Sequence, residues 1–447
     1  MKSLKRGSRL ITLMISGFII GMIVLIAKIQ MEASFYISNS GSRNLGYIYD
    51  RNGDIIFDDN AENGQYPDGY FKDLGNLIGD ASGQMTNTLV AKNLEKLSNY
   101  SFTSGITYKG GKAAIYSTLS HEANEAVYSA FGDKDGCAIA YNYKTGEILV
   151  CVSRPSVDPL KGYEDLAEGS LLCKAFYKTV PGSTQKIATL ISAVETMGMD
   201  ALMEKSFTCN GVYTNNTGLD IVCHNEYGHG TQNIREAFAN SCNPFFAQLV
   251  EDSGWSLSDI EDCYKKLGYS VNGSEETEIS IDGIISSKAS TTLEDKNEFN
   301  TQWSCIGQGT SLVSPCQLMM WQSAIANESG KSTMPYLIDH VTNVNGRTVE
   351  NASTNYSEQL FSSQTASEVK DIMLENGLNY TGKIPGYTLG IKSGTAQVKD
   401  GKEENSLLTG FVDDKDFPIA FAILIENRES YDVSTEYIAS VILDSLS

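Results

Sequence analysis

Eighteen consecutive uncharged residues, Leu10 to Ala27 (LITLMISGFIIGMIVLIA), constrain the 447-residue chain more than any other feature. As a helix the run is about 27 Å long, enough to span a hydrocarbon core with Arg9 and Lys28 snorkelling at its ends. It is longer than a secretory h-region of about 7–15 residues, and no small-x-small site lies near Lys28 or Gln30, so an uncleaved anchor is expected. Lys2, Lys5, Arg6 and Arg9 precede the run. By the positive-inside rule the N-terminus is then cytoplasmic and the rest of the chain lies outside the cell membrane, on a single-pass anchor. Residues 318–325 and 419–425 are apolar but too short to cross, and read as buried helix and strand.

Over the whole chain, 55 acidic residues outweigh 34 Lys and Arg, a net charge of −21. Such a surface repels phosphate backbones and anionic headgroups, which argues against nucleic-acid partners and against lipid contact other than through the N-terminal helix. The nine cysteines are an odd count, sit mostly in apolar surroundings and include no C-x-x-C pair, so spacing alone yields neither a disulfide framework nor a zinc knuckle.

Tyr36 to Asn44 reads as a polar juxtamembrane linker, and Gly46 to Phe57 as a hairpin around Asn52-Gly53. Residues 58–110 read as a small α+β module. A helical pattern follows from Ser117 to Phe131, then a hairpin over residues 137–152. A second hairpin over residues 407–425 and a helix striped with Ile438, Val441 and Ile442 close the chain. Strands at both ends with helices between predict one α+β domain whose sheet joins the two ends of a segment of over 300 residues.

The chemistry lies in three short motifs. Ser183-Thr-Gln-Lys186 opens an amphipathic helix ending near Gly198, where free N–H groups and the dipole favour an oxyanion and Lys186 shares the face of Ser183. A serine hydroxyl needs a base to attack, and a buried lysine beside other cations can lose its proton and act as one. Ser241-Cys242-Asn243 occupies a corner that Pro244 keeps from continuing as helix. Lys392-Ser393-Gly394-Thr395 lies in a strand-like stretch, where Gly394 admits a close backbone and Lys392 with Thr395 can bind a carboxylate. Lys144-Thr145-Gly146 imitates this last motif but falls in a hairpin turn before Ser183, which gives it a structural role. Gly330-Lys331-Ser332 has Ile325 where a P-loop needs its first Gly, and His121-Glu122 is followed by Glu125 where a zinc protease needs His.

Each motif is weak alone; together S-x-x-K, S-x-N and K-S-G-T, spaced by 58 and 151 residues, have the order of the active-site-serine penicilloyl transferases. The chain resembles the penicillin-binding proteins, and more narrowly class B, the monofunctional D,D-transpeptidases. Gly46 to Gly53 is similar to the family's RGxIxDRNG, with Leu45 in place of Arg. Lys144-Thr-Gly-Glu-Ile148 with Ser153-Arg-Pro155 looks like its opening hairpin, and Ile306-Gly-Gln-Gly309, Ser314-Pro315 and Ala324 to Asn327 look like its IGQG…TP…AIAN segment. Gln185 stands where Phe is frequent, and Cys173-Lys174 where Asn-Arg are common.

The resemblance implies an N-terminal anchor within residues 1–28, a pedestal-like or dimerising membrane-proximal module over 35–111, and a transpeptidase domain over 112–447 with an antiparallel sheet flanked by helices. Ser183 would attack the penultimate D-Ala carbonyl of a peptidoglycan stem peptide, with Lys186 as base, Ser241 as proton relay and Asn243 holding the peptide amide. Lys392, Ser393, Gly394 and Thr395 would form the carboxylate-binding strand, with the N–H groups of Ser183 and Thr395 as the oxyanion hole. β-Lactams would acylate the same serine. No cofactor is implied, and a multi-spanning SEDS-type glycan polymerase is the implied membrane partner. A D,D-carboxypeptidase or serine β-lactamase is the enzymatic alternative, and a β-lactam sensor or divisome scaffold the non-catalytic one.

Cys209, Cys223, His229 and Cys242 lie between the first two motifs, or in the second. Some class B relatives place zinc ligands or a thiol pair in this segment. Unlinked buried thiols, a disulfide through Cys242 and a tetrahedral zinc set all fit the sequence, so no metal ligand is assigned.

Overall fold

The computed structural model describes residues 2–31, 45–58, 72–80, 82–98, 100–101, 105–106, 111–158, 161–274, 278–399, 401–427 and 433–447. Helix α1, Lys2–Met31, contains the apolar run, and among the described residues it alone is long and apolar enough to cross a membrane. The linker expected over Tyr36 to Asn44 lies outside the described residues.

Two five-stranded sheets are built from β1 Tyr47–Tyr49, β2 Ile55–Asp58, β3 Ala114–Ser117, β4 Gly136–Asn142, β5 Ile148–Arg154, β6 Ile338–Thr342, β7 Thr348–Asn351, β8 Leu389–Val398, β9 Glu403–Val412 and β10 Ile419–Ile425. The predicted N-terminal hairpin is β1–β2. Its turn is organised by buried Asp50, whose Oδ1 accepts the N–H groups of Asn52 (2.8 Å) and Asp54 (2.9 Å), while Oδ2 accepts that of His121 (3.2 Å). The hairpin joins a mixed sheet of order β7-β6-β3-β1-β2, in which β1 runs parallel to β3. The strands that complete this sheet come from residues 114–117 and 338–351, far along the chain.

The second sheet is antiparallel throughout, in the order β8-β9-β10-β4-β5. Pairing of β10 with β4, from Ile419↔Asn142 to Ile425↔Gly136, makes the predicted closure of the two ends. Successive residues of a strand face opposite sides. Phe421 and Ile423 therefore join Val127 of α2 (His121–Ala130) and Ile438 and Ile442 of the C-terminal helix Thr435–Leu446 in one cluster. Ala420, Ala422 and Leu424 face a larger core with α3 (Lys186–Met197) and the helix Pro315–Ala326. Burial on both faces explains why β10 reads as an unbroken apolar run. At the opposite end of the order, β8 has one edge that no strand among the described residues pairs with, and the site is built on that edge.

Candidate active site

Ser183 lies in a tight 3₁₀ turn, Gly182–Gln185, that leads into α3. One turn of helix carries Lys186 back under it, and Lys186 Nζ donates to Ser183 Oγ at 2.6 Å. The same amine donates to the Ser241 carbonyl (3.0 Å) and to Asn243 Oδ1 (2.7 Å), with Ser241 Oγ at 3.4 Å. Lys186 is fully buried. Burial pushes its amine down to about 7, with Cys242 and Cys223 pulling weakly the other way. A lysine poised there can exchange a proton near neutral pH, as a general base must.

The second motif is a corner. Helix Ile234–Ala239, opened by a capping box of Asn233 and Glu236, stops before Ser241, and Cys242 caps α4 (Asn243–Glu251), which has Pro244 in its first turn. Ser241 takes φ +50°, a left-handed conformation that ordinary side chains seldom adopt. Such strained residues cluster at functional sites. The corner aims Ser241 Oγ between two lysines: Lys392 Nζ donates to it at 2.9 Å and to the Ser393 carbonyl at 2.8 Å. Burial, followed by the charge of Lys186, holds the Lys392 amine well below its ordinary range. Asn243 Nδ2 donates to the Val222 carbonyl at 3.0 Å.

The third motif lies on β8. A Cβ on Gly394 would stand 3.1 Å from the Ser183 nitrogen, and one on Gly182 (φ +52°) 2.5 Å from the Thr395 carbonyl oxygen, so the first and third motifs touch through backbone. Gln308 Nε2 reaches the Thr395 carbonyl (3.4 Å), which fixes that carbonyl on the open edge of β8. In an antiparallel strand the N–H and C=O of one residue point the same way. The Thr395 N–H therefore points out beside Ser183. Tyr380 OH donates to Ser393 Oγ (2.8 Å).

These groups open into a cleft of about 700 Å³ lined by Ser183, Ser241, Asn243, Ser393, Gly394 and Thr395. Every residue that the motifs nominate is thus in one place, except Lys186 and Lys392, which lie beneath the floor. The cleft wall also holds residues that sequence reasoning missed. Phe299 and Trp303, stacked at 5.4 Å on helix Phe299–Ile306, form one side, and their signal was the aromatic i, i+4 pair before Ile306-Gly-Gln-Gly309. Asp220, Val222 and His224 form another and carried no motif. Gln185 packs in the core under the nucleophile, accepting Tyr269 OH at 2.5 Å. Lys174 pairs with Glu426. Lys144-Thr145-Gly146 makes the β4–β5 turn, as its hairpin context predicts, with Asn142 Oδ1 accepting the Lys144 N–H at 2.9 Å.

Behind the second motif, Cys209, Cys223, His229 and Cys242 converge, their ligand atoms all within 4.8 Å of one another. Hydrogen bonding between Cys223 and Cys242 holds the Cys223 thiol well below its ordinary range and, together with burial, lifts the Cys242 thiol above it.

Residues 136–444 match the penicillin binding protein transpeptidase domain, and the chain belongs to that family. Stage V sporulation protein D of Bacillus subtilis is 30% identical over 330 residues, 69% of this chain and 48% of that protein. The peptidoglycan D,D-transpeptidase PbpA of Mycolicibacterium smegmatis is 25% identical over 352 residues, 73% of this chain and 69% of the relative. The chain thus spans about half the length of the first relative. The fold matches a penicillin G acyl-enzyme complex of penicillin-binding protein A from Mycobacterium tuberculosis, with TM-score 0.75 and 19% identity over 91% of this chain and all of that one.

Proposed function

We propose that the protein is a membrane-anchored D,D-transpeptidase that crosslinks peptidoglycan stem peptides through an acyl-enzyme on Ser183. The observation that carries this reading is the contact of Lys186 Nζ with Ser183 Oγ at 2.6 Å, within a network that also holds Ser241 and Lys392. Neutral Lys186 takes the hydroxyl proton as Ser183 Oγ bonds to the penultimate D-Ala carbonyl carbon. The oxyanion is held by the N–H groups of Ser183 and Thr395, a preorganised stabilisation worth about 3–4 kcal/mol per donor in related acyl transfers. The proton passes from Lys186 through Ser241 to the departing nitrogen, the C–N bond breaks, and D-Ala leaves. An amine of a second strand then attacks the ester, gives up a proton by the same route, and releases Ser183 with a new amide. Asn243 holds the donor peptide amide, while Ser393 and Thr395 receive the terminal carboxylate above the buried Lys392 amine.

α1 anchors the chain with its basic N-terminus in the cytoplasm, which leaves the site on the side where stem peptides are exposed. Residues 35–111 form the membrane-proximal part, and the glycan strands come from a separate multi-spanning SEDS-type polymerase contacted through the anchor and that part. β-Lactams, which mimic the acyl donor and are bound covalently in the mycobacterial homologue, acylate the same serine.

The test is a donor peptide ending in D-Ala-D-Ala supplied with an amine acceptor. One D-Ala is released for each new amide formed. Release with water as the only acceptor identifies a carboxypeptidase instead, and no release leaves a binding role.

A further inference from the structure

We propose that a second cavity, walled in part by Tyr269, binds a small anion with a flat apolar body and passes its occupancy on to Ser183. The cavity holds about 620 Å³, within the range of small-molecule sites, and shares no lining residue with the catalytic cleft. Three parts of the chain enclose it. Gln317, Met320 and Trp321 come from helix Pro315–Ala326, and Leu267 to Tyr269 follow the end of helix Leu257–Lys266. The segment from Tyr356 to Leu360 forms the third side. It is tied down by the Ser357 N–H to the Ser332 carbonyl and the Leu360 N–H to the Gly330 carbonyl, both at 2.9 Å.

The walls present rings and alkyl groups because their polar atoms are spent on one another. Gln317 Nε2 and Trp321 Nε1 both donate to the Leu267 carbonyl, at 2.7 and 3.0 Å, and Gln317 Oε1 accepts the Ala289 N–H at 2.7 Å. Gly268, at φ +92°, permits this closeness, since a Cβ there would stand 2.6 Å from Gln317 Nε2. Tyr269 and Trp321 stack at 5.7 Å, and Tyr356, 58% exposed, offers a third ring.

Charge at the rim selects the ligand. Lys265, Lys266 and Lys288 line the cavity against one carboxylate, Glu358, in a chain of net charge −21. Lys265 is shared with Glu261 and Asp262 of its own helix, and the dipole at that helix's C-terminus accounts for both Lys265 and Lys266. Neither reason applies to Lys288, which arrives from another segment, is half-buried and forms no ion pair among the described residues. A half-buried, unpaired ammonium beside aromatic faces favours a carboxylate or similar anion carried on an apolar ring body.

Tyr269 connects the cavity to the floor of the catalytic cleft. Its hydroxyl donates to Gln185 Oε1 at 2.5 Å, and Gln185 lies between Ser183 and Lys186 in the turn that opens α3. Its ring stacks at 4.8 Å on Tyr264, whose hydroxyl donates to Thr189 Oγ1 at 2.8 Å, one turn further along α3. The start of α3 is thus held by two tyrosines, one of which is a cavity wall. A ligand packed on Tyr269 favours the arrangement in which that ring is fixed, and so holds the turn bearing Ser183 more firmly.

The test uses the full chain in detergent with 2-naphthoate as the probe. Calorimetry should find one site per chain, still open after penicillin G has blocked the catalytic cleft. Lys288→Met should weaken binding about tenfold, the loss usual for a charge-assisted contact, and uncharged 2-naphthamide should lose as much on the wild type. Tyr356→Ala, at an exposed position, should weaken binding about fivefold through the lost ring contact. Saturating 2-naphthoate should raise the penicillin acylation rate about fivefold, the low end of ordinary coupling between sites, and Tyr269→Phe should keep the probe but lose the rise. Absence of saturable binding overturns the site, as does binding that penicillin G abolishes or that neither Lys288→Met nor Tyr356→Ala weakens. Binding that leaves acylation unchanged overturns the connection through Tyr269. The coupling rests on the proposed acylation of Ser183, whereas binding is read by calorimetry alone, so failure of the transpeptidase reading and failure of the second site are separately visible.

Discussion

Lys392 Nζ donates to Ser241 Oγ at 2.9 Å and joins residues 151 positions apart in the chain. The contact inserts a hydroxyl between two buried lysines, because Lys186 Nζ lies 3.4 Å from the same oxygen. Two ammonium groups so close and so buried disfavour each other's charge, which keeps a proton acceptor available near neutral pH.

Loss of the base should be severe. Lys186→Ala removes the proton acceptor without touching the Ser183 hydroxyl, and the penicillin acylation rate constant should fall by about 10²–10⁴-fold. Stopped-flow or gel-based labelling measures it, and a loss under about tenfold would assign the base elsewhere.

Acylation should depend on pH through Lys186, which is held to about 7 by burial. The neutral amine is the active form, so the rate rises with pH through about 7 and levels above it. The groups facing Lys186 are Lys392, Cys223 and Cys242. A profile that instead falls as pH rises through this range would contradict a lysine base.

The close approach of the first and third motifs can be probed by size. Gly394→Val places atoms where the Pro181 carbonyl and the Ser183 and Thr184 nitrogens stand at 2.9–3.1 Å from even a Cβ. Displacing Ser183 by about 1 Å should cost about 10²-fold in acylation rate while the chain stays folded. Circular dichroism alongside labelling separates displacement from unfolding.

Asp50→Ala should destabilise the fold. The carboxylate accepts three backbone N–H groups in a buried position, and its loss leaves those donors without partners. A destabilisation of about 2–3 kcal/mol is expected by denaturant titration, with Asp50→Asn intermediate.

Much of the site was legible because its parts are contiguous words. Ser183 with Lys186 and Lys392 with Thr395 are each read within four residues, and their spacing on helix and strand follows from backbone geometry. The sheet closure was legible for a related reason: residues 137–152 and 407–425 each form a local hairpin, and neither can bury its strands alone. What escaped was long-range pairing. The parallel match of β1 with β3 and the arrival of β6 and β7 from residues 338–351 leave no local pattern, since the partners are fixed by tertiary burial. The same holds for Asp220, Val222 and His224, which reach the cleft on an excursion between motifs that includes the strand Asp220–Val222, whereas the convergence of Cys209, Cys223, His229 and Cys242 was among the arrangements that the sequence left open.

Peptide mapping by mass spectrometry after penicillin G treatment of the full-length protein tests the central claim most directly. A single penicilloyl adduct is expected on the peptide containing Ser183, absent from Ser183→Ala. An adduct on any other residue, or one that persists in Ser183→Ala, would contradict the assignment of Ser183 as the nucleophile.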